Sequence, residues 1–268
     1  MTIHLIGSEG FIGKAIQKNS KNVSLHCWSH KHKEKSNRFN LFDKESWENL
    51  LNSHPDTVLL LSWPDLPNYS NCFHIYRNLS LMVELVEALI KSGCKNIIVS
   101  GTCYEYGDID GCLEEDIEVK PNNAYSIAKD AFRRSIEFIC EKNSVRWVWA
   151  RIFYPYGEDQ NQNSLYPSLL RAIKNNDQEF NISSGNQKRD FISSDQVAIN
   201  LLFLSTNFKA RGIFNCGSGL PTPIIEFVKK IIKEKRSSII IRSGVCLDRI
   251  GEPKAFWANM KKFNSLKG

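Results

Sequence analysis

Hydrophobic residues in the first half of the chain fall into short runs that alternate with longer amphipathic stretches. The runs have the length of strands that are buried on both faces of a sheet. The stretches between them repeat apolar residues at intervals of three and four, as a helix with one buried face does. This alternation predicts a parallel sheet with helices on both faces. The predicted strands are 3–6, 23–28, 57–62, 96–100 and 145–151, and the predicted helices lie near 10–19, 44–52, 71–93 and 122–142.

The pattern changes after about residue 151, where a loop rich in Asn and Gln precedes shorter elements. These are predicted helices near 164–175, 195–205 and 223–235, and predicted strands near 180–183 and 189–192. We assign residues 1–160, with returning segments near 188–218, to the sheet domain, and residues 161–187 and 219–268 to a small α/β lobe. Ligands of open α/β sheets bind outside the carboxyl ends of the strands. We therefore expect the lobe to cap that edge and bind substrate.

Composition is that of an ordinary globular protein: 42% of the 268 residues are hydrophobic and 24% are charged. The net charge is +6, but most lysines are scattered, so no nucleic-acid partner is expected. The start of the chain does not resemble a secretory leader and no apolar stretch matches a bilayer span, which predicts a cytoplasmic protein without a membrane partner. The eight cysteines form no Cys-x-x-Cys pair, so no metal site is expected.

Glycines follow the first predicted strand at the spacing of a dinucleotide-binding turn. In the segment GSEGFIG, Gly7 permits the tight turn, Gly10 lets backbone N–H groups approach a pyrophosphate, and Gly13 lets the next helix pack closely. The helix N-terminus also favours the phosphate charge. Glu9 is a mild conflict, because its carboxylate must point away. We expect a nicotinamide dinucleotide to bind through Gly7, Gly10, Phe11, Ile12 and Gly13.

The end of the second predicted strand bears on the choice of cofactor. An acidic residue there would bind the ribose 2′-hydroxyl of NAD, and a basic one would accept the 2′-phosphate of NADP. The segment that starts at Trp28 reads WSHKHKE, with no acidic residue before Glu34. This predicts NADPH rather than NADH, bound through Ser29, His30 and Lys31. The alternative is that the lysines form a solvated turn.

Tyr125 and Lys129 lie four residues apart within a predicted helix, so they share one face. A nearby ammonium stabilises the anionic form of a phenol, which makes the phenol a proton donor. Thr102 follows the fourth predicted strand and supplies a hydroxyl that could bind the same substrate oxygen. These three residue types suit reversible hydride chemistry at a sugar carbonyl. Tyr-x-x-x-Lys alone is a weak signal, but here it accompanies a dinucleotide turn.

Taken together, the motifs resemble those of the extended short-chain dehydrogenases/reductases that act on nucleotide sugars. The matching segments are GSEGFIG, LLSW at 60–63, Asn78, SGTCYEYG at 100–107, YSIAK at 125–129, RIFYPYG at 151–157, KRDF at 188–191, NCGSG at 215–219 and GEP at 251–253. Within that family, the stretches GTCYEYG, GCLEED and AYSIAKD are similar to the dTDP-6-deoxy-L-talose 4-dehydrogenase type of 4-ketoreductase. The resemblance implies an α/β Rossmann fold with a doubly wound parallel sheet and a small C-terminal substrate-binding lobe.

The resemblance also implies roles for individual residues. Tyr125 would protonate the C4 oxygen, Lys129 would bind the nicotinamide ribose and hold the acidity of Tyr125 near working pH, and Thr102 would orient the reacting oxygen. Arg189 and Arg249 are candidates for the substrate diphosphate, because a planar forked donor matches phosphate oxygens. For either arginine the alternative is a surface salt bridge.

The same resemblance extends to the remaining contacts. The other expected cofactor contacts are Asn40 and Leu41 near the adenine, Leu61, Ser62 and Trp63 on the nicotinamide side, and Asn78. The other expected substrate contacts are Tyr104, Tyr154 and Asn163. Two departures from the family pattern matter. Dehydratases of the family carry Asp-Glu directly after the active-site Thr, where this chain has Cys103 and Tyr104, and Glu105 lies one position late. Tyr154 stands where the family often has Asn.

The leading hypothesis is an NADPH-dependent reductase of a nucleotide-linked 4-keto-6-deoxyhexose, with a dTDP-sugar favoured, in deoxysugar and surface polysaccharide biosynthesis. The alternative is an NAD-dependent nucleotide-sugar 4-epimerase, which oxidises and reduces the same carbon. A third hypothesis is that the protein is a non-catalytic NADP-binding regulator, which would not need Tyr125 or Lys129. The resemblance further implies a homodimer in which the helices near 71–93 and 122–142 pair across a two-fold axis.

Overall fold

The predicted helices and strands occur in the predicted order, and the structure adds strands that the hydrophobic pattern did not predict, including Gly212–Cys216 of the central sheet. The computed structural model describes residues 1–31, 37–247 and 253–268. Its first half contains β1 (Thr2–Ile6), α1 (Phe11–Asn19), β2 (Ser24–Trp28), α2 (Trp47–Asn52), β3 (Thr57–Leu60), α3 (Ser80–Lys91), β4 (Asn96–Thr102), β5 (Gly111–Leu113), α4 (Ala124–Lys142) and β6 (Arg146–Ile152). Its second half contains β7 (Pro155–Tyr156), α5 (Leu165–Lys174), β8 (Glu179–Asn181), β9 (Lys188–Arg189), β10 (Ile192–Ser193), α6 (Ser194–Thr206), β11 (Gly212–Cys216), β12 (Thr222–Pro223), α7 (Ile224–Glu234), β13 (Ile240–Arg242), β14 (Phe256–Ala258) and α8 (Lys261–Ser265).

The central sheet contains six strands in the order β2-β1-β3-β4-β6-β11, and every neighbouring pair is parallel. β1 lies between β2 and β3, and Ile6 at its end is level with Trp28 on one side and Leu60 on the other. The chain therefore changes direction across the sheet at β1. This switch point, at the carboxyl ends of β1 and β3, is where doubly wound sheets bind their ligands. The predicted Rossmann sheet is confirmed.

Helices cover both faces of this sheet. Val58 and Leu60 pack toward α3 and α4, whereas Leu59 packs on the opposite face with residues of α1 and α6. Successive side chains of a strand point to opposite faces. Because both faces are buried, the strands read as continuous apolar runs and not as alternating ones.

Three predicted elements differ in detail from those observed. The helix predicted near 44–52 is a 3-10 turn, Lys44–Ser46, followed by α2. The helix predicted over 71–93 is a π-helical turn, His74–Leu79, followed by the α-helix α3. The strand predicted near 189–192 is two short strands, because the chain changes partner within it. β9 pairs antiparallel with β12, and β10 pairs parallel with β7.

Asp190, between β9 and β10, is fully buried and joins three segments. Its Oδ1 accepts the N–H and the hydroxyl of Ser218, both at 2.6 Å, and its Oδ2 accepts the N–H groups of Gly219 and Ala258, both at 3.0 Å. A Cβ on Gly217 would lie 2.5 Å from Oδ2, which explains the glycine there. Asp190 thus holds the NCGSG segment and β14 against the end of the sheet.

A separate apolar cluster lies beyond the sheet, where Leu169 of α5 and Ile182 pack against Phe227, Val228 and Ile231 of α7. The last described residues return to the sheet: β14 pairs with β5, and Phe263 of α8 packs into the sheet core. The division into two domains at the stated boundaries remains a prediction. Within the described residues, no helix combines the length and apolarity needed to cross a membrane.

Candidate active site

Thr102, Tyr125 and Lys129 converge at the carboxyl end of β4. Thr102 is its last residue, and Tyr125 is the second residue of α4. Asn123 caps this helix, because its side chain accepts the N–H of Ser126 at 2.9 Å and its own N–H donates to the Ser126 hydroxyl at 3.2 Å. The N–H of Tyr125 donates to the carbonyl of Tyr69 at 2.9 Å. These bonds fix the start of α4 and place the phenol beside Thr102.

The phenol of Tyr125 is almost fully buried. Burial raises its pKa well above the usual value, and the neighbouring Tyr69 and Glu105 act in the same direction, while a hydrogen bond with Thr102 opposes them. This differs from the acidity near working pH that the resemblance implied. Loss of water around the phenol outweighs its favourable contacts. Tyr125 is therefore protonated throughout the neutral range.

Lys129 is buried below Tyr125 on the same face of α4, with 2% of its surface exposed. Its Nζ donates to the carbonyl of Ser100 at 2.7 Å and lies 4.2 Å from the ring centroid of Trp63 and 5.4 Å from that of Trp149. Burial lowers the pKa of Lys129 to about 7, and the negative charge of Glu105 partly opposes the shift. The charge of Lys129 therefore changes near neutral pH.

Glu105 lies one position later than the acidic pair of the dehydratases, and it is fully buried. Its carboxylate accepts the N–H of Thr102 at 2.9 Å, the indole N–H of Trp149 at 2.9 Å and the Nε of Arg151 at 2.8 Å. These bonds make Glu105 a support for the turn after β4. Because the carboxylate is held by these bonds, Glu105 is poorly placed to remove a proton from a substrate, which is the step that a dehydratase requires.

The glycine turn has the shape that a dinucleotide requires. Gly7 has a φ of +94°, and a Cβ there would lie 2.9 Å from the backbone N of Ser62. A Cβ on Gly13 would lie 2.3 Å from the carbonyl oxygen of Gly7, so α1 packs as closely as the sequence predicts. Gly10 precedes α1 without a side-chain cap. Phe11 and Ile12 then begin the helix, whose first N–H groups suit a pyrophosphate.

The expected adenine end lies at the tip of β2. Ser29 is buried, and its hydroxyl accepts the N–H of Lys31 at 3.2 Å, whereas His30 and Lys31 are exposed. Ser29 also forms a parallel bridge with Arg38. Leu41 is buried in the core. Asn40 bonds its own turn through Oδ1, which accepts the N–H of Phe42 at 3.1 Å.

On the nicotinamide side, Leu61 and Ser62 follow β3 directly against the glycine turn. Trp63 is buried and forms part of the wall around Lys129. Asn78 is fully buried, and among the described residues its Oδ1 has no hydrogen-bond partner. An orphaned buried acceptor here fits a bound donor. The residues present therefore fit a nicotinamide dinucleotide.

Aromatic rings line the side expected for substrate. The ring centroid of Tyr69 lies 5.4 Å from that of Tyr125 and 5.2 Å from that of Tyr104. Tyr104 in turn hydrogen-bonds Tyr154, whose ring lies 5.6 Å from that of Phe256. Sequence reasoning missed Tyr69, because it belongs to no motif and reaches the site only through the fold.

The structure does not bring every expected substrate residue to this wall. Arg189 is buried, and its guanidinium donates to the carbonyl of Pro253 at 2.8 Å and to Oε1 of Gln187 at 3.0 Å. Its ring contact with Tyr154, at 5.4 Å, places it at the edge of the aromatic wall. Asn163 is exposed in the loop before α5, and Arg249 lies outside the described residues. Their contacts with substrate remain predictions.

A glycine turn at the switch point of a Rossmann sheet, next to a buried Thr-Tyr-Lys cluster, defines a short-chain dehydrogenase/reductase. The chain belongs to the NAD dependent epimerase/dehydratase family, whose model matches residues 3–217. The family recognised from the sequence is therefore confirmed.

Known proteins agree with this assignment. The chain is 27% identical to the dTDP-6-deoxy-L-talose 4-dehydrogenase (NAD(+)) of Aggregatibacter actinomycetemcomitans over 203 residues, which cover 75% of this chain and 74% of that protein. The fold of this chain matches that of the UDP-N-acetylglucosamine 4-epimerase from Methanobrevibacter ruminantium, with a TM-score of 0.84 and 21% identity. The match covers 100% of this chain and 92% of the epimerase chain. RMD from Pseudomonas aeruginosa, complexed with NADPH, also has a TM-score of 0.84, with 19% identity over 99% and 91% of the two chains. At these identities the structural likenesses show the fold alone.

Burial of Lys129 predicts a distinct dependence of stability on pH. An unfolded lysine has a pKa near 10.4, and the folded one a pKa of about 7. Between these values the unfolded chain holds the additional proton, so stability rises with pH in this window. Between pH 7 and pH 9 we expect the free energy of unfolding of the wild type to rise by about 2 kcal/mol relative to Lys129→Met. Urea unfolding at a series of pH values measures this difference.

Lys91→Met, at an exposed position of α3, serves as the control and should keep the wild-type slope. The buried cysteines, whose pKa values are raised by burial, lower stability at higher pH, but all three proteins share them. If the free energy of unfolding changes with pH equally in the wild type and in Lys129→Met, the prediction that folded Lys129 loses its proton near pH 7 is wrong.

Proposed function

We propose that the protein is an NADPH-dependent 4-ketoreductase. Its substrate is a nucleotide-linked 4-keto-6-deoxyhexose, dTDP-linked by preference, and its product is a 4-hydroxy sugar for deoxysugar and surface polysaccharide biosynthesis. The observation that carries the proposal is that Thr102 hydrogen-bonds the buried phenol of Tyr125, while Trp63 contacts both Tyr125 and the buried Lys129. Ser62, the residue before Trp63, lies against Gly7 of the glycine turn. Similarity to the talose 4-dehydrogenase supports the sugar class and the carbon.

The chain supplies proton transfer and orientation at the sugar carbonyl. When bound, the reduced nicotinamide supplies the hydride. The phenol of Tyr125 is protonated at neutral pH and holds the proton that the C4 oxygen needs. Thr102, which already hydrogen-bonds this phenol, would hold the same oxygen. An ammonium at Lys129 would stabilise the phenolate that remains, and the low dielectric of the buried cluster strengthens that effect.

Two features favour reduction over elimination of water. Dehydratases of this family carry an acid and a base directly after the active-site Thr, and this chain has Cys103 and Tyr104 there. Cys103 is buried, and burial raises the pKa of its thiol, which makes it a poor proton carrier near pH 7. Glu105 is committed to Arg151 and Trp149. A 4-epimerase would use the same Thr-Tyr-Lys cluster, so product analysis must separate it from a reductase.

Incubation with NADPH and a dTDP-4-keto-6-deoxyhexose should consume NADPH in step with the appearance of the 4-hydroxy sugar. Tyr125→Phe should lower the rate roughly a hundredfold or more while keeping cofactor binding, because it removes only the proton donor. Phe208→Tyr, at an exposed aromatic position just after α6, is the control and should leave the rate unchanged. Formation of an isomer without net NADPH consumption would instead identify an epimerase, and an unaffected Tyr125→Phe variant would exclude a catalytic phenol.

The preference for NADPH is part of the proposal and rests on the tip of β2. Ser29 is buried there, the exposed His30 and Lys31 follow it, and Arg38 forms a backbone bridge to it, which supports a basic tip at this strand. The name of the talose 4-dehydrogenase specifies NAD(+), which points the other way. A direct comparison of the two cofactors is therefore needed.

We expect a lower KM for NADPH than for NADH. Ser29→Asp should raise the KM for NADPH roughly tenfold or more and spare NADH, because a carboxylate repels a phosphate and binds a ribose hydroxyl. Ser24→Asp, at the exposed opposite end of β2, should change neither value. A wild-type preference for NADH would refute the assignment of Ser29, His30 and Lys31 to a 2′-phosphate.

We also propose that the protein is a homodimer formed through α3 and α4. α4 exposes Phe138 (68% exposed) and Ile127 (42%), and the turn before α3 exposes Tyr76 (68%). Large apolar side chains exposed close together often mark an interface.

Light scattering should give twice the 30.7 kDa of one chain, and Phe138→Asp should shift the mass toward the monomer. Val245→Asp, at an exposed apolar residue elsewhere, should remain dimeric; a monomeric wild type would refute the proposal.

A further inference from the structure

His74 is a fully buried imidazole that has no part in the steps assigned to Thr102, Tyr125 and Lys129. It is the first residue of the π-helical turn His74–Leu79, and such turns occur frequently at functional sites. Its ring centroid lies 5.4 Å from that of Tyr125 and 6.3 Å from that of Trp63. A polar ring at this depth needs defined partners, and they identify what it does.

Hydrogen bonds assign one protonation form to His74. The indole nitrogen of Trp63 can only donate, and it lies 3.2 Å from Nδ1, so Nδ1 is an acceptor. The Nδ2 of Asn78 lies 3.3 Å from the same Nδ1. The Nε2 lies 3.0 Å from the carbonyl oxygen of Asn68, which can only accept, so Nε2 carries the proton. The contacts with Trp63, Asn78 and Asn68 are therefore all consistent with a neutral ring whose Nδ1 carries no proton.

The first consequence is the orientation of Trp63. Its indole presents a ring face to the Nζ of Lys129 at 4.2 Å and meets the ring of Tyr125 edge-on, at 6.1 Å and 75°. An indole face attracts a cation, more strongly where water is excluded. If the indole rotated, the ammonium would lose this contact. The bond to His74 therefore controls what Lys129 faces.

The second consequence is the orientation of Asn78. Its Nδ2 also donates to the carbonyl of Pro64 at 2.9 Å, so the amide is held on that nitrogen by Pro64 and by His74. Turning the amide over would set its oxygen against the Pro64 carbonyl. The Oδ1 consequently stays buried and, among the described residues, without a partner. Native proteins seldom leave such an acceptor empty, so this orientation suits a donor from outside the chain.

We infer that His74 is a positioning residue whose Nδ1 aligns the Trp63 indole and the Asn78 amide for the dinucleotide pocket. It acts through these two residues and touches neither cofactor nor substrate. The inference rests on the proposed function only in taking Trp63 and Asn78 as cofactor contacts. The π-helical turn, which contains both residues, places the Nδ1 of His74 within reach of the Asn78 amide.

Three substitutions separate this role from simple packing. In His74→Asn, the amide oxygen takes the place of Nδ1 and keeps the acceptor. In His74→Gln, the amide reaches the place of Nε2 and keeps only the contact with Asn68. His74→Leu removes both. Calorimetric titration with NADPH and with NADH gives the Kd of each folded variant, and the indole N–H resonance of Trp63, assigned by its loss in Trp63→Phe, reports the bond to Nδ1.

We expect His74→Gln and His74→Leu to raise the Kd for the preferred dinucleotide roughly tenfold, the equivalent of one buried hydrogen bond. Both should shift the Trp63 indole resonance and speed its hydrogen exchange. His74→Asn should stay within about threefold of the wild-type Kd and keep the resonance. The inference is overturned if His74→Asn binds the dinucleotide as weakly as His74→Leu, if His74→Gln binds it as the wild type does, or if the variants differ only in melting temperature. If His74→Leu does not fold, the comparison of His74→Asn with His74→Gln still decides.

This test is separate from the test of the reductase. Neither titration nor NMR needs a sugar, so a wild type that binds dinucleotide but reduces no 4-keto sugar would refute the proposed function and leave the His74 comparison intact. A wild type that binds neither dinucleotide would overturn the inference together with the proposed function.

Discussion

Burial of a single ammonium, that of Lys129, is the constraint around which the site is built. A charge removed from water is costly unless its surroundings replace the water. Here they do so incompletely, with one carbonyl, from Ser100, the faces of two indoles and a more distant carboxylate. The result is a lysine whose pKa is lowered to about 7 and which can be neutral or charged under physiological conditions. A group balanced in this way responds strongly to whatever binds beside it.

Glu105 supplies the carboxylate and also holds the turn that carries Thr102. Its ion pair with Arg151 is fully buried, with neither side chain more than 1% exposed. Such pairs contribute little net stability, although breaking one is strongly destabilising. Their value here is geometric, since one carboxylate ties the N–H of Thr102 to Trp149 and β6. Gly101 belongs to the same arrangement, because a Cβ there would lie 2.1 Å from the indole nitrogen of Trp149.

Much of the fold and part of the site were predictable because they depend on residues close together in the chain. The glycine turn, the parallel strands and the shared face of Tyr125 and Lys129 all follow from short-range spacing. Glu105 was noticed, but its role was not predicted, and Tyr69 and His74 went unnoticed. Each of these acts across the fold, as Tyr69 does when its carbonyl receives the N–H of Tyr125. No periodicity records such a contact.

The sequence by itself determined that a dinucleotide turn and a phenol-lysine pair occur in one Rossmann chain, since local geometry leaves few other arrangements for those residues. Only the tertiary structure decided how the pair behaves. The high pKa of Tyr125 and the low pKa of Lys129 come mainly from desolvation, which depends on side chains supplied by distant segments such as Trp63 and Trp149, while the charge of Glu105 raises both values. Burial is a property of the assembled chain, and spacing along the sequence does not encode it.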